Sequence, residues 1–462
     1  MNTLKKQRTQ LETSASELLK AALKSGMQQA EVVAVYSQAS KISMEKQDFQ
    51  LASTDEGYSI GLRVIHDGHQ GFTSHNSLSA ADLKWMAAKA TEIARISEPN
   101  PYASIPKPQR IPDTAPTLGW DEALFQLSMP TQKEWALKLY QTVTSDKRFL
   151  LNEGALQFGA DCVLVMNSLG IHQVHAGTSA SWSLMGMARD GNILTSFDYF
   201  SRIARQARRL GDKIVADAIA FRDEIISDLV QGPSQSYRGV VAFSPRAVSE
   251  IFLSGLSSHL NGRSVLENQG HWKLQDIEKT VLNQKIRLED QPWYADRFGY
   301  ALFDREGTPT RPLSLIDQGV LRNFALDSYA AAGLKRPTTG HAAGSSTTLP
   351  SVGFHSLSLA GGETPWKTII RDLSAAKENL LVVNRFSGQV DSTTGDFSGV
   401  AKGGHWWQHG ERVYTVNETL ISGNIFDTLG SGLVELSQET LLVNSSEDCP
   451  YLVADGISVT GR

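Results

Sequence analysis

Hydrophobic and polar positions in the first hundred residues follow two patterns, one typical of helices and one typical of strands. Leucine and alanine recur at helical spacing over residues 11–25, and Gly26 stands where such a helix would end. Alternating runs follow, and Asp67-Gly68 between two of them predicts a hairpin. The predicted elements are a helix at 11–25, strands at 31–37, 41–49, 58–65 and 70–74, and a second helix that is capped by Ser79 and runs to Ile96. This order predicts a compact α+β module over residues 1–98.

Prolines mark the next segment, residues 99–119, as a stiff connector. Each proline fixes φ and removes a backbone donor, and six of the 16 prolines of the chain lie in this segment. Residues 120–235 return to helical and alternating patterns, which predict a middle α+β region. Its predicted elements are a helix after Pro130, strands joined by turns at 167–170 and 190–192, and a helix at 213–229.

The pattern changes again near residue 236, where a strand-rich region begins. A strand predicted at 239–243 ends at Ser244-Pro245, and a helix predicted from 246 to 260 follows it and stops at Asn261-Gly262. Short strands and glycine turns then continue to residue 462. The sequence therefore predicts an α+β fold, in which the N-terminal module with antiparallel strands and flanking helices precedes a larger strand-rich C-terminal domain at 236–462.

Composition and charge argue against a nucleic-acid-binding protein and against a membrane-spanning one. The 462 residues are 41% hydrophobic and 20% charged, with a net charge of −5. No Lys/Arg-rich run interleaved with aromatic residues occurs, so we expect no direct binding of nucleic acid. No apolar run reaches the ~18 residues of a membrane span, and the N-terminal residues do not resemble a signal peptide. Only two cysteines are present, Cys162 and Cys449, which favours a cytoplasmic protein.

Histidines were considered as metal ligands, and one pair has a suitable spacing. His405 and His409 lie in the run Gly-Gly-His-Trp-Trp-Gln-His-Gly, which predicts a hairpin rather than a helix. On one strand, residues four apart are separated by about 13 Å, which is too far to share an ion. These two histidines are therefore only fallback metal candidates. His259, alone on the helix at 246–260, is expected to be structural.

Several segments together resemble the TldD/PmbA family over nearly the whole chain. In chain order they are Tyr58 to Gly68, Gly71 to Ser74, Asn167 to Gly170, Asp304 to Pro309, Leu315 to Leu321 and Gly388 to Ser398. In this family the TldD-type subunit resembles a metallopeptidase, with a His-Glu-x-x-x-His motif on a helix and a cysteine farther along the chain. Two imidazoles on one helical face hold zinc there, and the glutamate acts as general base.

The resemblance places the motif on the helix that follows Pro245, with ligand positions at Leu253 and Ser258 and the base position at Ser254. Leucine cannot bind zinc, and serine cannot replace the carboxylate of a general base. Cys449 is not equated with the cysteine ligand of the family. We therefore expect no catalytic residue, no metal and no cofactor in this chain, as in the PmbA (TldE) type of subunit.

The function implied by the resemblance is that of a partner subunit. PmbA-type chains are associated with TldD-type chains in a cytosolic metallopeptidase complex that encloses a chamber, binds unfolded peptides and degrades or matures them. An older name links them to modulation of DNA gyrase. We expect a dimer with a TldD-like subunit or with a second copy of the chain, with zinc in the TldD-like partner. Without such a partner the chain is expected to be inactive.

Two segments are candidates to line a peptide groove, because unpaired strand edges bind extended peptides by β-augmentation. The candidate residues are Asp304, Glu306, Gly307, Thr339, Gly340 and His341. The alternative interpretation of both segments is that they are ordinary turns. Two other functions stay open at this point: an autonomous homodimeric hydrolase with an atypical site at His405, His409 and an acidic neighbour, and a non-enzymatic binding or scaffold protein associated with gyrase.

Overall fold

The computed structural model describes residues 2–45, 48–117, 119–208, 210–376, 380–416 and 419–461. Its α-helices are, in chain order, α1 Asn2–Lys24, α2 Ala80–Ile96, α3 Glu122–Phe125, α4 Met129–Val143, α5 Leu210–Ser227, α6 Pro245–Ala247, α7 Ser254–His259, α8 Gly262–Leu266, α9 Ser328–Leu334, α10 Trp366–Ala376 and α11 Ile425–Leu429. A π-helical turn occupies Val248–Leu253 and a 3₁₀ turn Leu274–Asp276.

The strands occur in runs between these helices, and most of those in the C-terminal half are short. They are β1 Gln29–Glu45, β2 Asp48–His66, β3 His69–His75, β4 Phe149–Asn167, β5 His172–Asp190, β6 Ile193–Leu194, β7 Asp198–Ala204, β8 Gln231–Gly232, β9 Tyr237–Phe243, β10 Leu288–Asp290, β11 Leu313–Asp317, β12 Val320–Leu321, β13 Ala342–Ala343, β14 Ser351–Val352, β15 Leu357–Leu359, β16 Leu380–Val383, β17 Arg385–Val390, β18 Asp396–Lys402, β19 Gly404–Gln408, β20 Glu411–Val416, β21 Thr419–Asn424, β22 Leu433–Val443 and β23 Glu447–Thr460. The α+β prediction is confirmed.

A seven-stranded antiparallel sheet forms the N-terminal half, with the order β3-β2-β1-β4-β5-β6 and β7 paired to β5. The two strands predicted at 31–37 and 41–49 are one strand, β1, and the next strand begins at Asp48. β1 pairs with β2 on one side and with β4 on the other. The backbone groups of the polar residues in its middle therefore have hydrogen-bonding partners on both sides. Because β4 pairs with β1, strands β1–β3 from residues 1–98 and strands β4–β7 from residues 120–235 lie in one sheet.

Two sets of helices cover this first sheet. The helices α1 and α2 pack on strands β1 and β2, with Leu18 and Met86 among the fully buried side chains. α2 begins at the predicted cap, where the Ser79 hydroxyl accepts the backbone N–H of Asp82. Helices α4 and α5 pack farther along the sheet, where Leu139 and Phe221 meet Phe149.

A 14-stranded sheet forms the C-terminal half, and its longest path is β12-β11-β10-β15-β23-β9-β16-β19-β20-β8. Its core is rich in aromatic side chains, and Phe243, Phe252, Phe397 and Trp406 are almost fully buried in it. The helical segment from Pro245 to His259 packs on this core. Among the described residues, no helix has both the length and the apolar run that crossing a membrane requires.

The helix predicted at 246–260 is present but is not uniform. It begins at Ser244-Pro245 as predicted, and the Ser244 hydroxyl caps it by accepting the backbone N–H groups of Arg246 and Ala247. Val248–Leu253 is π-helical, and regular helix resumes at Ser254. A π-turn places one more residue in each turn and often marks a functional site, but hydrophobic periodicity does not reveal it. The segment ends at Asn261-Gly262 as predicted, and the Asn261 side chain caps the next helix, α8.

Candidate functional site

The three positions to which the resemblance assigns the zinc motif lie at the junction of the π-turn and α7. Leu253 is fully buried in the C-terminal core, Ser254 is exposed and Ser258 is half-buried. A buried hydrocarbon side chain and two hydroxyls cannot form a zinc site of the usual nitrogen, sulfur or carboxylate ligands. These three side chains therefore do not fit a zinc ion with its general base.

His259 follows Ser258 and is fully buried. Its Nδ1 accepts the backbone N–H of His271 at 3.0 Å, and its ring packs edge-on against Phe426. Burial, together with the neighbouring His271, lowers the pKa of His259 to about 4. The imidazole is therefore neutral near pH 7 and belongs to the packing of this helix, in agreement with the structural role expected for it.

Buried neutral histidines predict a pH-dependent stability. Burial, with the positive charge of Arg205, also lowers the pKa of His175 to about 4 from its ordinary 6.5. Between pH 6.5 and 4 the unfolded chain binds protons at these histidines that the folded chain does not bind. The free energy of unfolding is therefore expected to fall as pH is lowered through this window.

Urea unfolding at a series of pH values measures this dependence. His175→Gln and His259→Gln should each reduce the slope of stability against pH by about one proton below pH 6.5. His172→Gln is the control, because the His172 side chain is 49% exposed on β5. Equal slopes for all three variants and the parent chain would show that buried neutral histidines do not cause the dependence.

A buried cluster of charges joins the first sheet to the C-terminal half. Arg63 on β2 donates from Nη2 to Glu31 at 2.9 Å and to Glu306 at 2.7 Å. Arg305 completes the cluster by donating from Nη1 to Glu31 at 2.8 Å. The side chains of all four residues are at most 3% exposed. The two arginines balance the charges of the two glutamates. Because Glu31 and Arg63 lie on β1 and β2, whereas Arg305 and Glu306 lie in the C-terminal half, the cluster joins the two halves.

The two segments predicted to line a peptide groove lie side by side. Asp304 accepts the backbone N–H groups of Glu306 and Thr308 at 2.9 Å, and its other oxygen accepts that of Ala342 at 3.0 Å. Burial, and next the charge of Glu306, raise the pKa of Asp304 well above its ordinary value. Asp304, Glu306, Gly307, Gly340 and His341 are buried and Thr339 is half-buried, so their role in a groove stays a prediction.

A second buried cluster contains one aspartate and two histidines. His341 Nε2 lies 3.1 Å from Asp290 Oδ2, and His355 Nδ1 lies 2.7 Å from the same oxygen. The ligand atoms of these three residues lie within 4.8 Å of one another. Burial alone would raise the pKa of Asp290, but the two adjacent imidazoles lower it below its ordinary value.

From the sequence, His341 is named only as a groove candidate, and Asp290 and His355 are not singled out. Asp290 ends β10, His341 precedes β13, and His355 lies just before β15. Pairing of β10 with β15 and of β13 with β14 brings the three together. No short motif links residues so far apart in the chain, so only knowledge of this strand pairing would have indicated the cluster.

The fallback pair is separated by its hairpin. His405 lies in β19 and pairs through Nε2 with Asp228 at 3.0 Å, and Arg412 donates to the same carboxylate. His409 lies exposed in the turn after β19, with φ of 52°. The predicted hairpin is therefore present, and the acidic side chain of Asp228 lies beside His405. The group of three potential ligands found among the described residues is Asp290, His341 and His355, not one that includes this pair.

Comparisons with known proteins agree with the resemblance. The family profile described as "PmbA/TldA metallopeptidase C-terminal domain" matches residues 236–461, and "PmbA/TldA metallopeptidase domain 1" matches residues 30–94. "Metalloprotease PmbA" of Escherichia coli O157:H7 is 27% identical over 371 residues, which cover 80% of this chain and 78% of that protein. Together the two profiles span more than half of the chain and include parts of both sheets.

Solved structures share the fold from end to end. TldE from Thermococcus kodakarensis superposes with a TM-score of 0.85 at 21% identity, covering 97% of this chain and 100% of that one. A protein described as a modulator of a DNA gyrase, from Thermotoga maritima MSB8, superposes with a TM-score of 0.84 at 18% identity, with the same coverage. At these identities the likeness establishes the architecture of both halves.

Proposed function

Because this chain belongs to the PmbA/TldD metallopeptidase family, we propose that it is a PmbA-type subunit without the catalytic zinc, which encloses the peptide chamber of a TldD-like partner. The observation that carries the proposal is the helix after Pro245. The family architecture is retained there, but Leu253, Ser254 and Ser258 provide neither metal ligands nor a general base. Peptide hydrolysis therefore depends on the zinc and the glutamate of the partner.

Unfolded peptide is the proposed substrate of the complex, and strand edges are the proposed means of holding it. Among the described strands, β17 pairs only with β18, so the other edge of residues 387–389 has no strand partner. Ser387, Gly388 and Gln389 are exposed along this strand. An extended peptide can add to such an edge through main-chain hydrogen bonds, which makes binding tolerant of sequence. Both cysteines are buried free thiols, and we place the complex in the cytoplasm.

Reconstitution tests the proposal. The chain alone, a TldD-like subunit with the His-Glu-x-x-x-His motif, and an equimolar mixture of the two are each assayed on an unfolded fluorescent peptide. Light scattering gives the mass of each sample. We expect no cleavage by the chain alone, and cleavage by the mixture in a complex that contains both subunits.

Two outcomes would contradict the proposal. Cleavage by the chain alone at the rate of the mixture, lost in His409→Ala with the circular dichroism unchanged, would indicate an autonomous hydrolase. A chain that forms only homodimers and has no effect on the activity of the TldD-like subunit would indicate a binding or scaffold protein.

A further inference from the structure

We propose that Asp290, His341 and His355 form a binding site for one divalent transition-metal ion of the zinc class. The site is separate from the helix at Pro245–His259 and is independent of the proposed function. It also departs from the expectation that this chain binds no metal. Three side chains contribute two imidazole nitrogens and one carboxylate oxygen, a donor set that zinc uses with three protein ligands and one further position.

The three ligand atoms are already close enough to share an ion. Two ligands bonded to zinc at about 2.0–2.1 Å in tetrahedral geometry lie about 3.3 Å apart. The Asp290 oxygen is 3.1 Å from His341 Nε2 and 2.7 Å from His355 Nδ1. An ion therefore requires only small side-chain movements. On binding, the His355 proton moves from Nδ1 to Nε2, so Nδ1 can offer its lone pair.

The Nδ1 side of the His341 ring makes the kind of hydrogen bond that usually orients a metal-binding histidine. Its Nδ1 lies 2.9 Å from the carbonyl oxygen of Thr339, which can only accept a hydrogen bond. The Thr339 hydroxyl lies within 3.2 Å of the Leu326 carbonyl oxygen, to which it can donate its own proton. Nδ1 therefore carries the imidazole proton. A histidine that donates from one nitrogen to a carbonyl is oriented to bind metal with the other.

His341 Nε2 is the observation that points to a cation. This atom is buried and has no hydrogen-bond partner, although the Asp290 carboxylate lies beside it. With the proton on Nδ1, Nε2 carries a lone pair inside a side chain that is only 1% exposed, 3.1 Å from Asp290 Oδ2 but not hydrogen-bonded to it. A buried nitrogen without a hydrogen bond is costly, and a metal ion bound to Nε2 and to the carboxylate oxygen makes ligands of both.

The Asp290 carboxylate is fixed in place by the backbone. It accepts the N–H of His355 at 3.0 and 3.1 Å from its two oxygens, and that of Ser356 at 2.7 Å. Because these bonds come from the backbone, they orient the carboxylate independently of an ion. A site so deeply buried is suited to a structural ion that ties β10 to the segments before β13 and β15.

The test is metal binding by the full chain purified without a histidine tag and treated with chelator. We expect Co²⁺ to bind at about one ion per chain, with the visible absorption bands of a tetrahedral site, and Zn²⁺ to displace it. Asp290→Asn preserves side-chain volume and an oxygen that accepts the backbone N–H groups. We expect Asp290→Asn and His355→Ala each to weaken binding by at least about a hundredfold.

Matched variants make the result decisive. His172→Ala removes a histidine that is 49% exposed on β5, and should bind Co²⁺ as the parent chain does. Circular dichroism tests whether each variant is folded. If His355→Ala does not fold, the comparison with the parent chain uses Asp290→Asn alone. Absence of Co²⁺ binding by the parent chain overturns the proposal. So does binding that survives in both cluster variants, or that is lost in His409→Ala instead.

Discussion

Replacing Arg63 with methionine is expected to lower the free energy of unfolding by about 3–5 kcal/mol. Arg63 is 3% exposed and its guanidinium neutralises both Glu31 and Glu306, which are fully buried. Methionine fills much of the same volume but leaves Arg305 as the one remaining arginine of the cluster, beside two glutamates. A buried carboxylate without its partner costs far more than an exposed one, because it has lost water on every side.

Chemical denaturation of the parent chain and of Arg63→Met measures this loss. Arg110→Met is the matched control, because Arg110 and its partner Asp113 are 81% and 80% exposed. An exposed pair contributes only about 0–1 kcal/mol, so the control should remain close to the parent chain. Equal stability of the two variants would mean that the charges of Glu31 and Glu306 are not held as a buried cluster.

Truncation of Phe252 to alanine is expected to cost about 3–5 kcal/mol. The Phe252 ring is fully buried in the π-turn and packs edge-on against Phe243 at 5.1 Å and Phe397 at 6.0 Å. Both neighbours lie on strands of the 14-stranded sheet, so the ring holds the helix with the motif positions on that sheet. Its loss removes apolar contacts and leaves a cavity that rigid strands cannot fill.

Thermal and urea unfolding compare Phe252→Ala with Phe197→Ala, which removes an aromatic side chain from a residue that is 50% exposed. The control should change stability by less than about 1 kcal/mol. Phe252→Ala should also increase hydrogen exchange in Val248–Leu253, because the ring anchors that turn. A loss no larger than that of the control would contradict the packing described for this helix.

Local signals in the sequence predicted several elements well. Helix α2, the Asp67-Gly68 hairpin and the helix start at Ser244-Pro245 all depend on residues within a few positions of one another. The continuity of β1 was not predictable in this way. Its residues 38–40 lack strand alternation and remain extended because β2 and β4 pair with them from either side. For the same reason, the proline-rich connector does not separate two sheets.

The same distinction between local signals and long-range strand pairing applies to the candidate site. Absence of the zinc motif can be read from Leu253, Ser254 and Ser258 once the family is recognised. The cluster of Asp290, His341 and His355 could not be predicted, because it depends on the pairing of four short strands. The sequence also does not predict that residues 304–307 and 339–341 are mostly buried. Their glycines and threonine are equally typical of exposed turns.

The measurement that tests the central claim most directly is peptide cleavage by the reconstituted complex, with the motif helix altered in one subunit at a time. Ser254→Ala and Ser258→Ala together in this chain should leave the cleavage rate within about twofold of the parent complex. Replacing the glutamate of the His-Glu-x-x-x-His motif in the TldD-like subunit by glutamine should lower the rate at least about a hundredfold. The account is contradicted if the serine variant abolishes cleavage in an intact complex, or if the glutamine variant does not.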